Sequence, residues 1–167
     1  MSNDLRAAFL AGMGHVACTV NVITTDGPAG RLGVTVSAMS SVSADGPHPT
    51  LLVCVHHLST AARAIAENGV FCVNVLRADQ AHISDHFAGR VKAEDKFSCA
   101  DWAVCANGAP RLADPLAAFE CDMLLDQRIG THHVFYGAVR QLHFGRQGQT
   151  LIYAARNYGV PGVLPVP

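Results

Sequence analysis

The order of the strand-like runs most constrains the fold of this chain. Runs such as CTVNVITT, PTLLVCVHH and VFCVNVL are rich in β-branched and apolar residues, and glycine- or proline-containing turns separate them. Between them, STAARAIAENG and ADQAHISDHFAG have helical spacing and end near a glycine. Strands in hairpin order with only short helices inserted predict a closed or nearly closed antiparallel barrel, and not a doubly wound parallel sheet.

The rest of the chain fits the same mainly β architecture. LRAAFLAGM predicts a short helix that packs at the N-terminus, and residues 90–114 are mixed and loop-like. Three further strand-like runs follow, LAAFECDMLLDQRI, HHVFYGAVRQLHF and TLIYAARNYG. No repeat or linker interrupts the 167 residues, so we expect a single domain over 1–167.

The composition and net charge of the chain limit the kinds of binding partner that we expect. Half of the residues are hydrophobic and 15% are charged, where about a quarter is usual. So little charge suggests that part of the surface is covered, and we expect a homodimer. The net charge of −1 gives no reason to expect nucleic acid or an anionic membrane as a partner, and no apolar run is long enough to span a bilayer. The first 18 residues make a poor signal peptide, which predicts a cytoplasmic protein.

Motifs for metals, disulfides and dinucleotides are weak. The six cysteines form no CxxC pair and mostly lie in apolar runs, which favours buried thiols over disulfides or zinc. His82 and His86 lack the glutamate of HExxH, and adjacent histidine pairs point to opposite faces of a strand. The GMGHVA run fits G-x-G-x-x-A, but a helix precedes it and a strand follows, the reverse of the dinucleotide order. We therefore expect no metal site.

The stretch GVTVSAMSSVS, Gly33 to Ser43, reads as a strand with two different faces. Alternate positions from Val34 to Val42 are largely apolar, and the other face carries small hydroxyl residues without charge. One interpretation is an ordinary half-buried barrel strand. The other is a cradle in which bare main chain meets the edge of a flat, amide-rich ring such as a flavin, while the hydroxyls of Thr35, Ser37, Ser40 and Ser41 serve its ribityl and phosphate oxygens.

Two other segments support a ligand site, and each has a structural alternative. VCVHHLST ends a strand at the start of a helix, where Ser59, Thr60 and free N–H groups form an anion site without a lysine. The runs IGTHHVFYGAV and LIYAARNYG are either a turn with its strand and an edge strand, or a histidine beside an Arg/Tyr cluster that holds a second anionic, aromatic ligand.

Together these motifs resemble the short-chain flavin reductase family, the reductase components of two-component flavin monooxygenases. The resemblance runs from Val16 to Tyr158 with the motifs in order, and VNVITT, FCVNVL and IGTH are most similar to the reductases of 4-hydroxyphenylacetate 3-monooxygenase. It implies a split-barrel, flavin-binding homodimer. It also implies non-covalent FMN or FAD, reduction by NADH or NADPH, and release of reduced flavin to a separate oxygenase of aromatic degradation.

The resemblance also implies the site residues. The flavin-binding residues would be Thr35, Val36, Ser37, Ala38, Met39, Ser40, Ser41, Cys54, Val55, His56, His57, Ser59 and Thr60. The nicotinamide site would use His132 with Arg156 and Tyr158. Hydride passes directly between cofactors, so we expect His132 to orient the dinucleotide and not to donate a proton. A split-barrel oxidase of the pyridoxamine-phosphate type and a non-catalytic flavin- or haem-binding barrel remain alternatives.

Overall fold

A computed structural model describes residues 3–164 of the chain. The α-helices are α1 (Asn3–Gly14), α2 (Thr60–Asn68) and α3 (Ala81–Phe87), with short 3₁₀ turns at Ala78–Gln80 and Lys96–Cys99. The strands are β1 (Cys18–Thr19), β2 (Asn21–Thr25), β3 (Leu32–Val36), β4 (Met39–Ser43), β5 (Thr50–His56), β6 (Val70–Val75), β7 (Trp102–Val104), β8 (Pro110–Leu112), β9 (Ala117–Ile129), β10 (His132–His143), β11 (Ile152–Ala154) and β12 (Asn157–Gly159).

Seven strands form the main sheet, in the order β3-β2-β6-β9-β10-β5-β4, with every neighbouring pair antiparallel. Its two edge strands, β3 and β4, are consecutive in the chain and only Ser37 and Ala38 separate them. The chain therefore crosses from one edge of the sheet to the other within two residues, which requires the sheet to curl until its edges meet. This is the split barrel that the sequence predicts.

The prediction of one continuous strand from Gly33 to Ser43 is wrong. The strand breaks at Ser37 and Ala38, and the N–H of Met39 donates to the carbonyl of Ser37 at 3.2 Å. Beyond the break the faces are reversed, because Val42 is 50% exposed whereas Met39 packs against the core. Strand alternation cannot continue through a residue pair that leaves one sheet edge and joins the other.

The barrel has apolar side chains on both sides of its wall. Ile23, Val53, Phe71 and Phe135 belong to the inner core, whereas Val22, one position from Ile23, packs in a second core that includes α3. Successive side chains of a strand point to opposite faces, so β2 is buried on both. Burial of each large side chain stabilises the fold by roughly 1.5–3 kcal/mol.

Helix α2 begins and ends where the sequence predicts. Ser59 is its N-cap residue, and Gly69 closes it in the left-handed conformation with φ of 70°. Helix α1 is also present as predicted, but it is poorly packed within the chain: the side chains of Phe9 and Met13 are 62% and 48% exposed. No helix in residues 3–164 has the length and apolar character that crossing a bilayer requires.

The C-terminal part differs from the prediction. LIYAARNYG is not one edge strand but the tight hairpin β11–β12, in which Ala155 and Arg156 have φ of 48° and 62°. Positive φ at both central residues belongs to a type I′ turn, whose twist matches the flanking strands. The loop-like segment 90–114 also contains the small β7–β8 hairpin.

Candidate flavin and nicotinamide site

The break between β3 and β4 is where most of the predicted site residues meet. The carbonyl of Ala38 accepts a hydrogen bond from the N–H of Cys54 at 3.0 Å. Cys54 lies opposite Val134 on β10, and two residues further along the same strand pair His56 lies opposite His132. The predicted flavin segments and His132 therefore share one end of the barrel.

A cleft of about 200 Å³ opens beside the break. Its lining combines the end of β3 with α3 and the C-terminal hairpin: Val20, Thr35, Val36, Ser37, Ser84, Ala88, Arg90, Tyr153 and Tyr158. The Thr35 hydroxyl donates to the Ser84 carbonyl at 2.7 Å, which joins β3 to α3. Strand β3 pairs with β2 alone, so its other edge has no strand partner within the main sheet.

One wall of this cleft carries a polar cluster of which the sequence predicts only Tyr158 as a site residue. The phenol oxygen of Tyr158 lies 2.8 Å from both Ser84 Oγ and Asp85 Oδ1, and Arg90 bonds to Asp85 at 2.9 Å and to Tyr158 at 3.1 Å. Its hydrogen bond with Asp85 raises the pKa of Arg90, and burial raises the pKa of Tyr158. This wall of the cleft thus holds an Arg90–Asp85 ion pair and a protonated phenol.

The strand ends carry a histidine cluster. The rings of His56 and His132 meet edge to face with centroids 5.0 Å apart, and His56 also stacks on His57. The Thr131 carbonyl accepts from both the N–H and Nδ1 of His57, at 2.9 and 3.0 Å, and Thr131 Oγ1 lies 3.0 Å from His132 Nδ1. Desolvation, with a smaller effect of Arg128, lowers the pKa of His57.

Helix α1 lies opposite the histidine cluster, across a recess. Side chains on one stretch of the helix enclose a recess of about 810 Å³, which is lined by Leu5, Arg6, Phe9, Leu10, His56, Thr131 and His132. This size suits a drug-sized or dinucleotide fragment. The sequence predicts the helix but gives no signal that it faces His132.

The remaining predicted flavin residues differ in which of their groups can contact a ligand. Ser59 occupies the N-cap of α2, and its side chain makes no capping hydrogen bond. Ser40 donates to the Ser41 carbonyl at 3.2 Å and is exposed. The Val55 side chain is buried in the core, so that only its main chain can face a ligand. Burial raises the pKa of the Cys54 thiol, which keeps it protonated.

Within one chain the three predicted nicotinamide residues line different hollows. His132 lines the recess beside α1, Tyr158 lines the cleft at the strand break, and Arg156 lies on the hairpin turn near the C-terminal end of α1. The Ala155 N–H donates to the Gly14 carbonyl at 2.8 Å, which anchors that turn to the helix. A shared role for the three residues stays a prediction.

Comparison with known proteins decides the family. The model of the flavin reductase like domain matches residues 13–161. The chain belongs to this family. It is 41% identical over 152 residues to an FMN reductase (NADH) RutF of Methylorubrum extorquens, covering 91% of this chain and 75% of the relative. It is equally identical over 156 residues to RutF of Acinetobacter baylyi, covering 93% and 82%.

Solved structures show the same fold. The flavin reductase PheA2 superposes with a TM-score of 0.84 at 27% identity, covering 98% of this chain and all of that one. BorF, the flavin reductase component of a bacterial two-component tryptophan halogenase, has a TM-score of 0.83 at 29% identity, covering 93% and 97%. The split-barrel fold and the assignment to the flavin reductases are therefore confirmed.

The Tyr158 cluster predicts a late phenol titration. Because burial raises the pKa of Tyr158, the folded state retains this proton above pH 10, where an ordinary phenol loses it. The stability that the protonated phenol contributes is present at lower pH and is lost as pH rises through the raised value. Absorbance of tyrosinate should show a late-titrating phenol in the wild type, and this late phase should be missing from Tyr158→Phe. Tyr136→Phe is the control and should keep it. If both variants show the same late phase, the assignment to Tyr158 is wrong.

Proposed function

We propose that this chain is an NADH-dependent FMN reductase that supplies reduced flavin to a separate oxygenase. The observation that carries the proposal is the strand break at Ser37 and Ala38, where the bare edge of β3 adjoins a cleft lined by Arg90, at the end of the barrel that also carries His132. Relatives named as NADH-dependent FMN reductases support FMN and NADH over FAD and NADPH.

The residues at the break fit a flavin. Small side chains at Thr35, Ser37 and Ala38 leave the main chain accessible, which suits the donors and acceptors along the edge of an isoalloxazine ring. Arg90 and the hydroxyls around it suit a phosphate, because a guanidinium presents several donors to phosphate oxygens. Ser59 at the start of α2 offers a second group of donors.

Bound flavin would supply the ring that accepts a hydride from NADH. The task left to the protein is to bind and orient the two partners and to exclude water from them. No acid–base pair is needed for hydride transfer, which agrees with a site whose histidines bond to main-chain and threonine groups. His132 lies between His56 and apolar side chains of α1, which supports a role in orienting the dinucleotide.

The alternatives fit less well. A split-barrel oxidase for a phosphorylated amine needs several basic side chains around the substrate phosphate. Among the residues that line the cleft, Arg90 is the only charged one. A non-catalytic flavin-binding barrel needs no recess for a second ligand, whereas here His132 lines such a recess beside the flavin segments. Relatives such as RutF and solved structures such as PheA2 carry the names of flavin reductases, which supports this function over both alternatives.

We further propose a homodimer. Apolar side chains of α1, among them Phe9, Leu10 and Met13, are 46–62% exposed, and Leu124 and Ile129 on β9 are both 59% exposed. An apolar helix face next to the ligand recess suits a second copy of the chain, which would cover it.

An oxygenase that takes up reduced flavin is the second partner, because reductases of this fold such as BorF are components of two-component systems. Aromatic degradation remains a prediction.

Anaerobic mixing of the FMN-loaded protein with NADH tests the function. We expect the flavin absorbance near its long-wavelength maximum to bleach, and reduced flavin to pass to an added acceptor protein or to cytochrome c. Arg90→Met should weaken FMN binding at least tenfold, because one charge-assisted contact to phosphate is lost. Arg140→Met, which removes an exposed arginine of β10 that is likewise paired with an aspartate, Asp122, is the matched control. Failure of NADH to bleach bound FMN would refute the proposal.

His132→Ala tests the orienting role. Loss of the ring that faces both His56 and α1 should raise the KM for NADH several-fold and leave FMN affinity nearly unchanged. Steady-state kinetics with varied NADH, together with a fluorescence titration of FMN, separates the two quantities. His86→Ala, on α3, is the control. If KM for NADH is unchanged while kcat falls, the residue has another role.

The proposed dimer predicts that charge on α1 separates the copies. Sedimentation or light scattering should give a mass near twice the 17.6 kDa of one chain. Phe9→Glu should shift the mass toward one chain, because a charge is costly inside an apolar interface. Arg63→Glu, at an exposed position of α2, should leave the mass at twice that of one chain. A wild-type mass of a single chain, or a Phe9→Glu protein that keeps the double mass, would exclude this interface.

A further inference from the structure

A cluster of three metal-ligand side chains lies away from the ligand site, under the opposite end of the β9–β10 hairpin. Cys105 comes from the turn between β7 and β8, Glu120 from β9 and His143 from the last position of β10. Their ligand atoms, Sγ, a carboxylate oxygen and an imidazole nitrogen, all lie within 4.8 Å of one another. Cys105 is 5% exposed and Glu120 is 2% exposed.

Two of these atoms are buried and have no hydrogen-bond partner. Among the residues that the structure describes, four buried side-chain atoms lack a partner, and two of them are Glu120 Oε2 and His143 Nε2. The other oxygen, Glu120 Oε1, accepts the N–H of Asn107 at 2.8 Å, which fixes the orientation of the carboxylate. A buried carboxylate oxygen without a partner is costly, so the pair of unpartnered atoms points to a missing positive group.

The geometry suits a tetrahedral ion. Zinc lies about 2.0–2.2 Å from nitrogen and oxygen and about 2.3 Å from sulfur, which puts two ligands of one tetrahedron roughly 3.3–3.7 Å apart. Glu120 Oε2 and His143 Nε2 are already 3.7 Å apart, whereas Cys105 Sγ, which lies within 4.8 Å of both, would move closer by up to about 1 Å as the ion binds.

The donor types select the metal. A thiolate and an imidazole are borderline-soft ligands that favour zinc, whereas magnesium and calcium prefer oxygen ligands only. The His143 side chain is 22% exposed, which leaves the ion a path from solvent. The sequence predicts no metal site because the three ligands are 15 and 23 residues apart and belong to no metal motif.

We propose that Cys105, Glu120 and His143 bind one Zn²⁺ per chain, with a water molecule as the fourth ligand. The thiol proton of Cys105 leaves to solvent as the ion binds, so the thiolate, the carboxylate and neutral imidazole become its ligands. The ion ties the β7–β8 turn to both strands of the long hairpin. Its role is structural, because these residues do not line the cleft or the recess of the ligand site.

Cobalt titration of chelator-treated protein tests the site. Co²⁺ replaces Zn²⁺ in such sites and gives a thiolate-to-cobalt charge-transfer band when a cysteine binds it. We expect one Co²⁺ per chain with this band, which one equivalent of Zn²⁺ abolishes, and a Tm several degrees higher with Zn²⁺ than without. The measurement uses the wild-type chain and does not depend on whether a variant folds.

Variants then assign the ligands. Cys105→Ser should abolish the charge-transfer band, whereas Cys99→Ser should keep it, since Cys99 is half-buried and its sulfur bonds to the Lys96 carbonyl. Glu120→Gln, which retains an acceptor for the Asn107 N–H, and His143→Gln should each weaken Zn²⁺ binding at least tenfold.

Two results would overturn the proposal. One is a wild-type protein without the cobalt band. The other is a Cys105→Ser protein that keeps it. In either case Cys105, Glu120 and His143 do not form the metal site. Flavin reduction is measured in parallel, and its presence or absence does not bear on the metal site.

Discussion

The rest of the molecule depends on how the chain passes from one edge of its sheet to the other. A seven-stranded sheet that curls has to leave two edges near each other, and an unpaired edge exposes main-chain donors and acceptors that need partners. Here the crossing takes only Ser37 and Ala38, so the edges of β3 and β4 meet where side chains are smallest. In the proposed function a flat ligand with hydrogen-bonding groups along its rim would satisfy such an edge, so the feature that closes the barrel would also form the site.

The long β9–β10 hairpin connects the two proposed sites. Its tip, with Gly130 in the left-handed conformation, presents His132 to His56, and its base carries Glu120 and His143. Two register shifts lie between these ends, and β-bulges of this kind bend and twist a strand. At Gly137, beside one of them, an added Cβ would lie 2.5 Å from the Phe71 ring, so the hairpin can pack on the core there only without a side chain.

Local patterns predict the parts of this fold that local physics determines. Runs of β-branched and apolar residues predict β2, β5 and β6, and capping residues predict α2 to within a residue, because each signal lies inside the element itself. The break at Ser37 is not predictable in this way, since it depends on where the opposite sheet edge lies. Arg90 and the cluster of Cys105, Glu120 and His143 were missed for the same reason: their partners are distant in sequence and only the closed barrel brings them together.

The hairpin at Ala155 and Arg156 shows how the C-terminal segment is joined to the ligand recess. Two consecutive non-glycine residues with positive φ each cost about 1–2 kcal/mol, so such a turn persists only when its surroundings hold it. The hydrogen bond from the N–H of Ala155 to the carbonyl of Gly14, the last residue of α1, stabilises this turn. Because the same helix lines the recess of His132, the position of Arg156 and the shape of that recess are set together. In the proposed dimer, a second copy that packs on α1 would therefore act on both, and this helix face would be part of the proposed site.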